Sequence, residues 1–592
     1  MAQRAVLWFR NDLRVRDNQL FHYNEIRAAR ELVALYCIDP RHYQSSRWGQ
    51  HKRTGVHRAQ FLAESLVQLD KSLRFIGSKL WVFACKPEDV ISDLVGHDGV
   101  LAYQCEDTFE EQRVEKAVLD SLHPSATVFH HWGHTLLHRD DLGWDPCTSL
   151  PMPFGKYWHG ECQTVSPRPE LPTPCAGDLP SPPGFRAARR TSDAGQNAGS
   201  VKVAVEVDSL SKWMCFDEGQ VPRASEGEFV WHGGEVAAAA QMVAYATPHG
   251  LGSHMRTRNF FCGAHSFSRL SPWLANGCVS PRTVYWWAKD YFSGDPGGET
   301  DPRFDHFNKF VFQLCWRDYF RFYCARFGAR VFFLEGPALR KRPWRRDASV
   351  EARWKDGQTG VPIVDALMRE LLSTGYMSNR GRYVVASYLI FYLAIDWRVG
   401  ADWFETCLID HDVCSNYGEW ASMANVAVDL GERYPMGLKG RGPTSGRDRG
   451  RRGGGGDPWA QGAFSGDAVF NPWEQAAQYD RDESYVRRWV PELRHLPRGQ
   501  AQNPPDMCGA YPLPLSLHPL SMPKSSARGC RDGHYGPYYQ KLESNATTDT
   551  GASMAYRPSI WTAAADSTSE GQASSSYYPS TENVRDGLPR RW

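Results

Sequence analysis

The chain has 592 residues, with 68 Lys and Arg against 67 Asp and Glu, a formal net charge of +1. That length predicts more than one domain and ample core. The neutral balance excludes a global field for nucleic acid, so any such contact needs a local basic patch. The 15 cysteines include no C-x-x-C spacing, which suggests neither a zinc ribbon nor a disulfide framework. A reducing, intracellular compartment is the simplest reading. No apolar run reaches the ~18 residues that a bilayer span needs. The nearest, 383–395, reads as a buried helix. The first strand is expected by about Ala5, leaving no room ahead of it for a signal or transit peptide. The expectation is a soluble protein without membrane contact, its compartment left open.

Residues 1–165 form the first expected domain. Apolar runs of strand length at 5–9, 32–38, 79–84, 99–104 and 126–131 alternate with helical segments. The clearest helix is 54–75, with Leu62, Leu66, Leu69 and Leu73 on one face. Alternation of this kind predicts a parallel, Rossmann-like α/β sheet. Ligands on such sheets bind beyond the carboxyl ends of strands. Two loops fall there, R-N-D-L-R-V-R-D-N at 10–18 and C-E-D-T-F-E-E at 105–111. Taken alone, Glu106 reads as an acid placed to suit a helix N-terminus. His130, His131, His134 and His138 crowd one segment, but Gly133 and the strand-to-loop context break any single ligand face. A structural loop is the better reading there, and no metal site is expected.

Residues 166–227 read as a linker rich in Pro, Ser, Gly and Ala. Within it, 201–207 is a short apolar run that could lie on a surface. From 228 to about 430 the pattern is helical, with segments at 233–246, 280–291, 304–327, 361–377, 383–395 and 400–409. The expectation is an all-α second domain spanning 228–500.

Chemistry concentrates in four stretches of that second domain. S-F-S-R-L-S-P-W-L at 266–274 places short hydroxyls at a helix start, which suits a phosphate. Q-L-C-W-R-D-Y-F spans 313–320, and G-Y-M-S-N-R-G-R spans 375–382. R-K-R-P-W-R-R at 340–346 is a solvated basic face or a phosphate-contacting rim. The densest stretch is 396–420, D-W-R-V-G-A-D-W-F-E-T-C-L-I-D-H-D-V-C-S-N-Y-G-E-W. Asp410, His411 and Asp412 set two carboxylates beside an imidazole just past a helix. A metal site is one reading of that triplet and a solvated loop another; no further ligand set has recognisable spacing.

The 396–420 stretch resembles the flavin-binding core of the photolyase/cryptochrome superfamily, and D-H-D-V-C-S-N-Y-G resembles its DASH branch. The similarity covers about 4–145 and 228–497, with gaps. The resemblance implies bound FAD in a U shape in the helical domain. Asp410 and Asp412 would face the flavin and its ribityl chain, with Asn416 near the ring. Ser268, Leu270, Ser271, Arg317, Asn379 and Arg382 would complete the cofactor site, Arg382 pairing with Asp410. Trp420, Trp397 and Trp344 would relay electrons from the surface, and Trp316 would stack on substrate. Glu106 would match a contact to a methenyltetrahydrofolate antenna.

The sequence also departs from the family. His254 stands at a cofactor position usually held by tyrosine, and Phe267 replaces a hydroxyl residue. Gln313 replaces a glutamate near the substrate, and Ser422 replaces an aromatic. The match breaks after Ala427. A Gly/Arg-rich insert at 428–467 follows, readable as a loop, an RG-type nucleic-acid segment or a gene-boundary artefact. Residues 501–592 read as a disordered tail. The implied function is blue-light repair of cyclobutane pyrimidine dimers in single-stranded DNA by a monomer. The rival is a blue-light photoreceptor with an unknown signalling partner. A third reading is a nucleic-acid-binding module without turnover.

Overall fold

The computed structural model describes residues 3–46, 48–49, 51–184, 204–205, 209–214, 229–293, 304–428, 470–505 and 511–515. All of them belong to one compact unit, Met1–Ala546. The N-terminal part is a sheet of β1 (Arg4–Phe9), β2 (Glu31–Cys37), β3 (Leu80–Phe83), β4 (Val100–Gln104), β5 (Thr127–His131) and β6 (Ala204–Val205). Its order is β5-β4-β1-β2-β3-β6. The first five strands are parallel, with Leu7 opposite Ala34 on one side and Ala102 on the other.

β6 departs from the sequence reading. The 201–207 run reads in the sequence as part of a linker that could lie on a surface. Instead Ala204 and Val205 pair antiparallel with Phe83 and Val82 and cover the sheet edge. An edge strand exposes unpaired backbone groups, and even two residues suffice to cover part of it.

The strands are apolar on both faces because both faces are covered. Val6, Trp8, Val33, Leu35, Leu101 and Tyr103 pack into a core on one side. Leu7, Phe9, Leu32 and Ala34 point the other way, into a core continuous with the helical half, including Trp397 and Trp420. The sheet and the helices therefore share one interior. The loop after β1 seals the join. Leu13 N–H donates to Asn276 O at 3.2 Å, and Arg14 Nη1 donates to Gly277 O at 3.1 Å. A Cβ on Gly277 would lie 1.9 Å from Asn11 O, so only glycine permits this approach.

The longer helices are α1 (Val56–Phe75), α2 (Phe109–Ser121), α3 (Glu235–Tyr245), α4 (Ser271–Ala275), α5 (Pro281–Ser293) and α6 (Phe304–Phe327). They continue as α7 (Ala348–Lys355), α8 (Pro362–Thr374), α9 (Asn379–Ser387), α10 (Trp397–Cys407), α11 (Val413–Met423), α12 (Pro472–Tyr479) and α13 (Ser484–Trp489). The helix expected over 383–395 begins earlier, at Asn379, where Ser378 Oγ accepts the Gly381 N–H. It widens into a π turn at Tyr388–Tyr392. The helix expected over 400–409 also begins earlier, because Asp396 caps it by accepting the Arg398 N–H at 3.0 Å.

The tail expected from 501 onward is not wholly separate from the fold. Tyr511 Oη donates to Asp365 Oδ2 at 2.7 Å, and Leu515 N–H donates to Thr359 O at 2.9 Å. Residues 516–592 and the insert beyond Val428 lie outside the described residues. Among the described residues no helix is long and apolar enough to cross a membrane.

Candidate functional site

The site is built on α11. Asp412 is its N-cap: one carboxylate oxygen accepts the Ser415 N–H at 2.8 Å. Asn416 and Trp420 follow at intervals of four, which sets Asp412, Asn416 and Trp420 along one stripe of the helix. The acidic triplet lies in the turn between α10 and α11, as the sequence reading expects; the helix that follows it is not anticipated there. Asn416 Nδ2 donates to Ala401 O at 3.0 Å, tying α11 to α10. Trp420 is buried with its ring against Gly400, where a Cβ would meet it at 2.1 Å.

Two arginines of α6 face Asp412. Arg321 Nη2 donates to Asp412 Oδ2, and Arg317 Nη2 lies 3.9 Å from the same oxygen. Burial alone would raise the Asp412 carboxyl, but Arg321 and Arg317 hold it well below the usual range. Burial, together with the like charge of Arg321, pushes Arg317 down to about 10, so it stays charged at neutral pH. Arg317 also donates to His134 O and, at 3.0 Å, to Leu274 O at the end of α4. Arg321 is a residue the sequence reading missed. Its signal was present: it lies one turn after Arg317 on the same helix face.

Asp410 pairs with Arg382, whose Nη2 donates to Oδ2 at 2.6 Å. Its other oxygen, Oδ1, is buried and has no partner among the described residues. An unsatisfied buried acceptor is costly, and a ring N–H of a planar heterocycle is the kind of donor that would satisfy it. The residues present therefore fit a flavin: paired carboxylates, guanidiniums and an orphan acceptor beside buried tryptophan. Ser268, Leu270 and Ser271 flank the start of α4, where Ser268 O accepts from Gln241 Nε2 at 2.8 Å. Phe267 lies under the guanidinium of Arg269, 4.6 Å from the ring centre. Asn379 opens α9 and is exposed.

His254 does not stand among those cofactor positions as a spare donor. It is 1% exposed and bonded on both nitrogens. Tyr245 Oη lies 2.8 Å from Nδ1, and Gln313 Oε1 lies 2.6 Å from Nε2. Burial lowers the imidazole to about 3, so it is neutral at neutral pH. A neutral ring carries one N–H. The carbonyl of Gln313 needs it at Nε2, and the Tyr245 hydroxyl then donates to Nδ1. This arrangement turns the Gln313 amide nitrogen away from His254. Trp316, one turn further along α6, is half-buried and stacked on Phe154 with ring centres 3.7 Å apart. Tyr245 and Phe154 come from distant segments, and nothing local in the sequence marks them as partners.

The tryptophans are arranged along the same region. Trp397 is fully buried and donates from Nε1 to Leu334 O at 3.1 Å. Trp344 is half-buried under Arg342, whose guanidinium lies 5.0 Å from the ring centre. Their segments run side by side: Arg345 N–H donates to Ala394 O at 2.9 Å, and Asp396 N–H to Arg345 O at 3.2 Å. Trp354, not anticipated, meets Trp420 edge-on at 6.3 Å. The basic stretch 340–346 is largely committed to its own neighbours. Arg340 bonds Asn425 Oδ1 at 2.6 Å, Arg342 bonds Ala424 O at 2.5 Å and Arg346 pairs with Glu351 at 2.7 Å.

Glu106 is held inside the protein by three partners. Its side chain is 4% exposed, and Oε1 accepts from Asn11 Nδ2 at 2.9 Å and lies 3.1 Å from His134 Nε2. Oε2 faces Arg321 at 3.8 Å. Both oxygens lie against buried partners within the protein. Among the described residues no group of three or more His, Cys, Asp or Glu could hold a metal ion.

Comparison with known proteins follows the same division of the chain. A model described as DNA photolyase matches residues 5–175, and one described as FAD binding domain of DNA photolyase matches residues 310–511. The chain is 36% identical to "Cryptochrome DASH" of Danio rerio over 510 residues, covering 85% of this chain and 86% of the relative. It is 35% identical to "Cryptochrome DASH" of Xenopus laevis over 528 residues, covering 86% and 89%. The solved structure of a Synechocystis cryptochrome superposes with a TM-score of 0.70 at 33% identity, covering 86% of this chain and 96% of that one.

Proposed function

The chain belongs to the DASH branch of the photolyase/cryptochrome superfamily, and we propose that it is a light-driven lyase opening cyclobutane pyrimidine dimers in single-stranded DNA. The FAD these residues would hold would supply, when reduced and under blue light, the one electron that opens the cyclobutane ring, and would recover it afterwards. The observation that carries this reading is the pairing of Gln313 with Trp316 on one face of α6. A half-buried indole backed by Phe154 offers a stacking surface to an extruded dimer. The Gln313 amide, held by His254, offers an N–H to the dimer's carbonyl oxygens as negative charge develops on them.

The remaining residues serve the cofactor. Asp412, Asp410, Arg317, Arg382 and Asn416 hold and orient FAD, with Ser268, Leu270 and Ser271 at its phosphate side and Asn379, on the helix of Arg382, completing the site. Trp420, Trp397 and Trp344 deliver electrons from the surface to keep it reduced. Gln313 donates a hydrogen bond but has no proton to give up, and Ser422 offers no aromatic surface. Repair is therefore weak and confined to single strands or loops, where extrusion costs least. The protein acts as a monomer.

A second reading rests on the same Gln313. Without an acid at that position, the flavin site could serve as a blue-light photoreceptor acting on a protein partner. Trp316→Ala decides between them. On the lyase reading it abolishes binding of dimer-containing oligonucleotides while FAD stays bound. Wild-type protein with no preference for dimer-containing over undamaged strands supports the photoreceptor.

A further inference from the structure

Arg321 is 3% exposed and lies among three carboxyl groups from two segments. Its Nη1 is 3.2 Å from Asp107 Oδ2 and 3.8 Å from Glu106 Oε2, both in the loop after β4. Its Nη2 donates to Asp412 Oδ2 at the start of α11. The side chains of Asp107, Glu106 and Asp412 are 1%, 4% and 7% exposed, so water does not screen these contacts. The loop after β4 is itself fixed from behind. Glu106 N–H donates to Glu115 Oε1 at 2.8 Å, and Arg10 pairs with the same carboxylate. α6 is tied to the sheet half a second time, one turn earlier. Asp318 accepts the N–H groups of Leu136 and Leu137, each at 2.9 Å.

We propose that Glu106 and Asp107 are flavin-positioning residues: they fix the guanidinium of Arg321, and Arg321 fixes the Asp412 carboxylate that caps α11. The sheet half thereby sets the geometry of the helical half's cofactor site. Three buried carboxyl groups meet at one guanidinium and form a coupled set, in which burial, aided by the like charge of Glu106, raises Asp107 to about 7. Removal of one changes how the cation divides itself between the others. Glu106 acts on the cofactor site through Arg321. The inference rests on the flavoprotein reading and is independent of dimer repair.

A double-mutant cycle on the full chain tests it, with FAD affinity measured by titrating free FAD into stripped protein. Asp107→Asn weakens FAD about tenfold, a coupling within the range seen for residues in direct contact. Arg321→Gln weakens it further. The double variant, which removes both members of a buried pair and so avoids an unpaired charge, is no worse than Arg321→Gln alone. Losses that add in the double variant would mean a general fold defect and overturn the proposal. So would Asp107→Asn with wild-type affinity. Glu106→Gln gives the remaining arm: weaker FAD binding supports the proposal. Loss of added methenyltetrahydrofolate with undiminished FAD binding contradicts it. Wild-type protein that takes up no FAD at all removes the flavoprotein reading, a result distinct from any failure within the cycle.

Discussion

Gln313 is the residue on which the chemistry of this site turns. Its carbonyl accepts from His254 at 2.6 Å, and His254 is held in turn by Tyr245 at 2.8 Å. Because His254 titrates at about 3, the relay keeps one orientation between pH about 5 and 9. Replacing Gln313 by glutamate puts a carboxyl in the same place, able to donate a proton to a dimer carbonyl. Gln313→Glu is expected to raise the repair yield per absorbed photon at unchanged FAD content. A yield equal to or below that of wild type means the missing acid is not what limits repair. Trp420 and Trp397 carry a second residue-scale expectation. Either one changed to phenylalanine slows light-driven flavin reduction by an external reductant and leaves FAD binding nearly unchanged. Undiminished photoreduction in both variants would remove the relay. The pair Arg382 and Asp410 was legible in the sequence, since a buried carboxylate needs a cation and the resemblance supplied one. His254 with Gln313 was not, because 59 residues separate partners that only the packing of the short helix His254–Thr257 against α6 brings together.

At the scale of elements, α11 sets the geometry. Its start was readable in principle: Asp412 followed by Ser415 and an apolar run is an N-cap signal. The sequence reading puts the triplet 410–412 in a loop past a helix end and starts no helix after it. β6 was illegible for a different reason. Two residues carry no periodicity, and their pairing is decided by the exposed edge of β3. The loop after β4 yields an acid-stability expectation. Burial would raise Glu106, but His134, Arg10 and Arg321 lower it from 4.5 to about 2. A carboxyl depressed in the folded state stabilises above its unfolded value, and that contribution is lost as pH falls. The excess stability of wild type over Glu106→Gln is therefore full above pH 4.5 and disappears as pH falls toward about 2. Denaturant melts at neutral and acid pH measure it. A gap that stays constant or widens on acidification means the carboxylate is not held by these partners.

For the whole molecule, the decisive feature is the interior shared by the sheet and the helices. Leu7, Phe9, Trp397 and Trp420 belong to one core, so a cofactor site in the helical half is braced by the sheet. Alternating strands and helices followed by a long helical run made this division of the chain legible from hydrophobic pattern alone. The pattern could not show how the halves meet. That depends on Asn11 lying against Gly277, on Asp318 reaching Leu136 and Leu137, and on Arg321 reaching two loops at once. Nor could it show that Tyr511 and Leu515 return to Asp365 and Thr359, because polar, Pro-rich sequence reads as tail wherever its few anchors fall.

The central claim is that this assembly, loaded with FAD, opens pyrimidine dimers in single strands. The most direct measurement is blue-light repair by fully reduced, FAD-loaded protein of one oligonucleotide carrying a single thymine dimer, supplied as a single strand and as a duplex. The account predicts slow, light-dependent dimer loss in the single strand and far less in the duplex, where the flipped pair must first be unstacked. No dimer loss in the single strand under blue light, from protein with a full complement of reduced FAD, would contradict it.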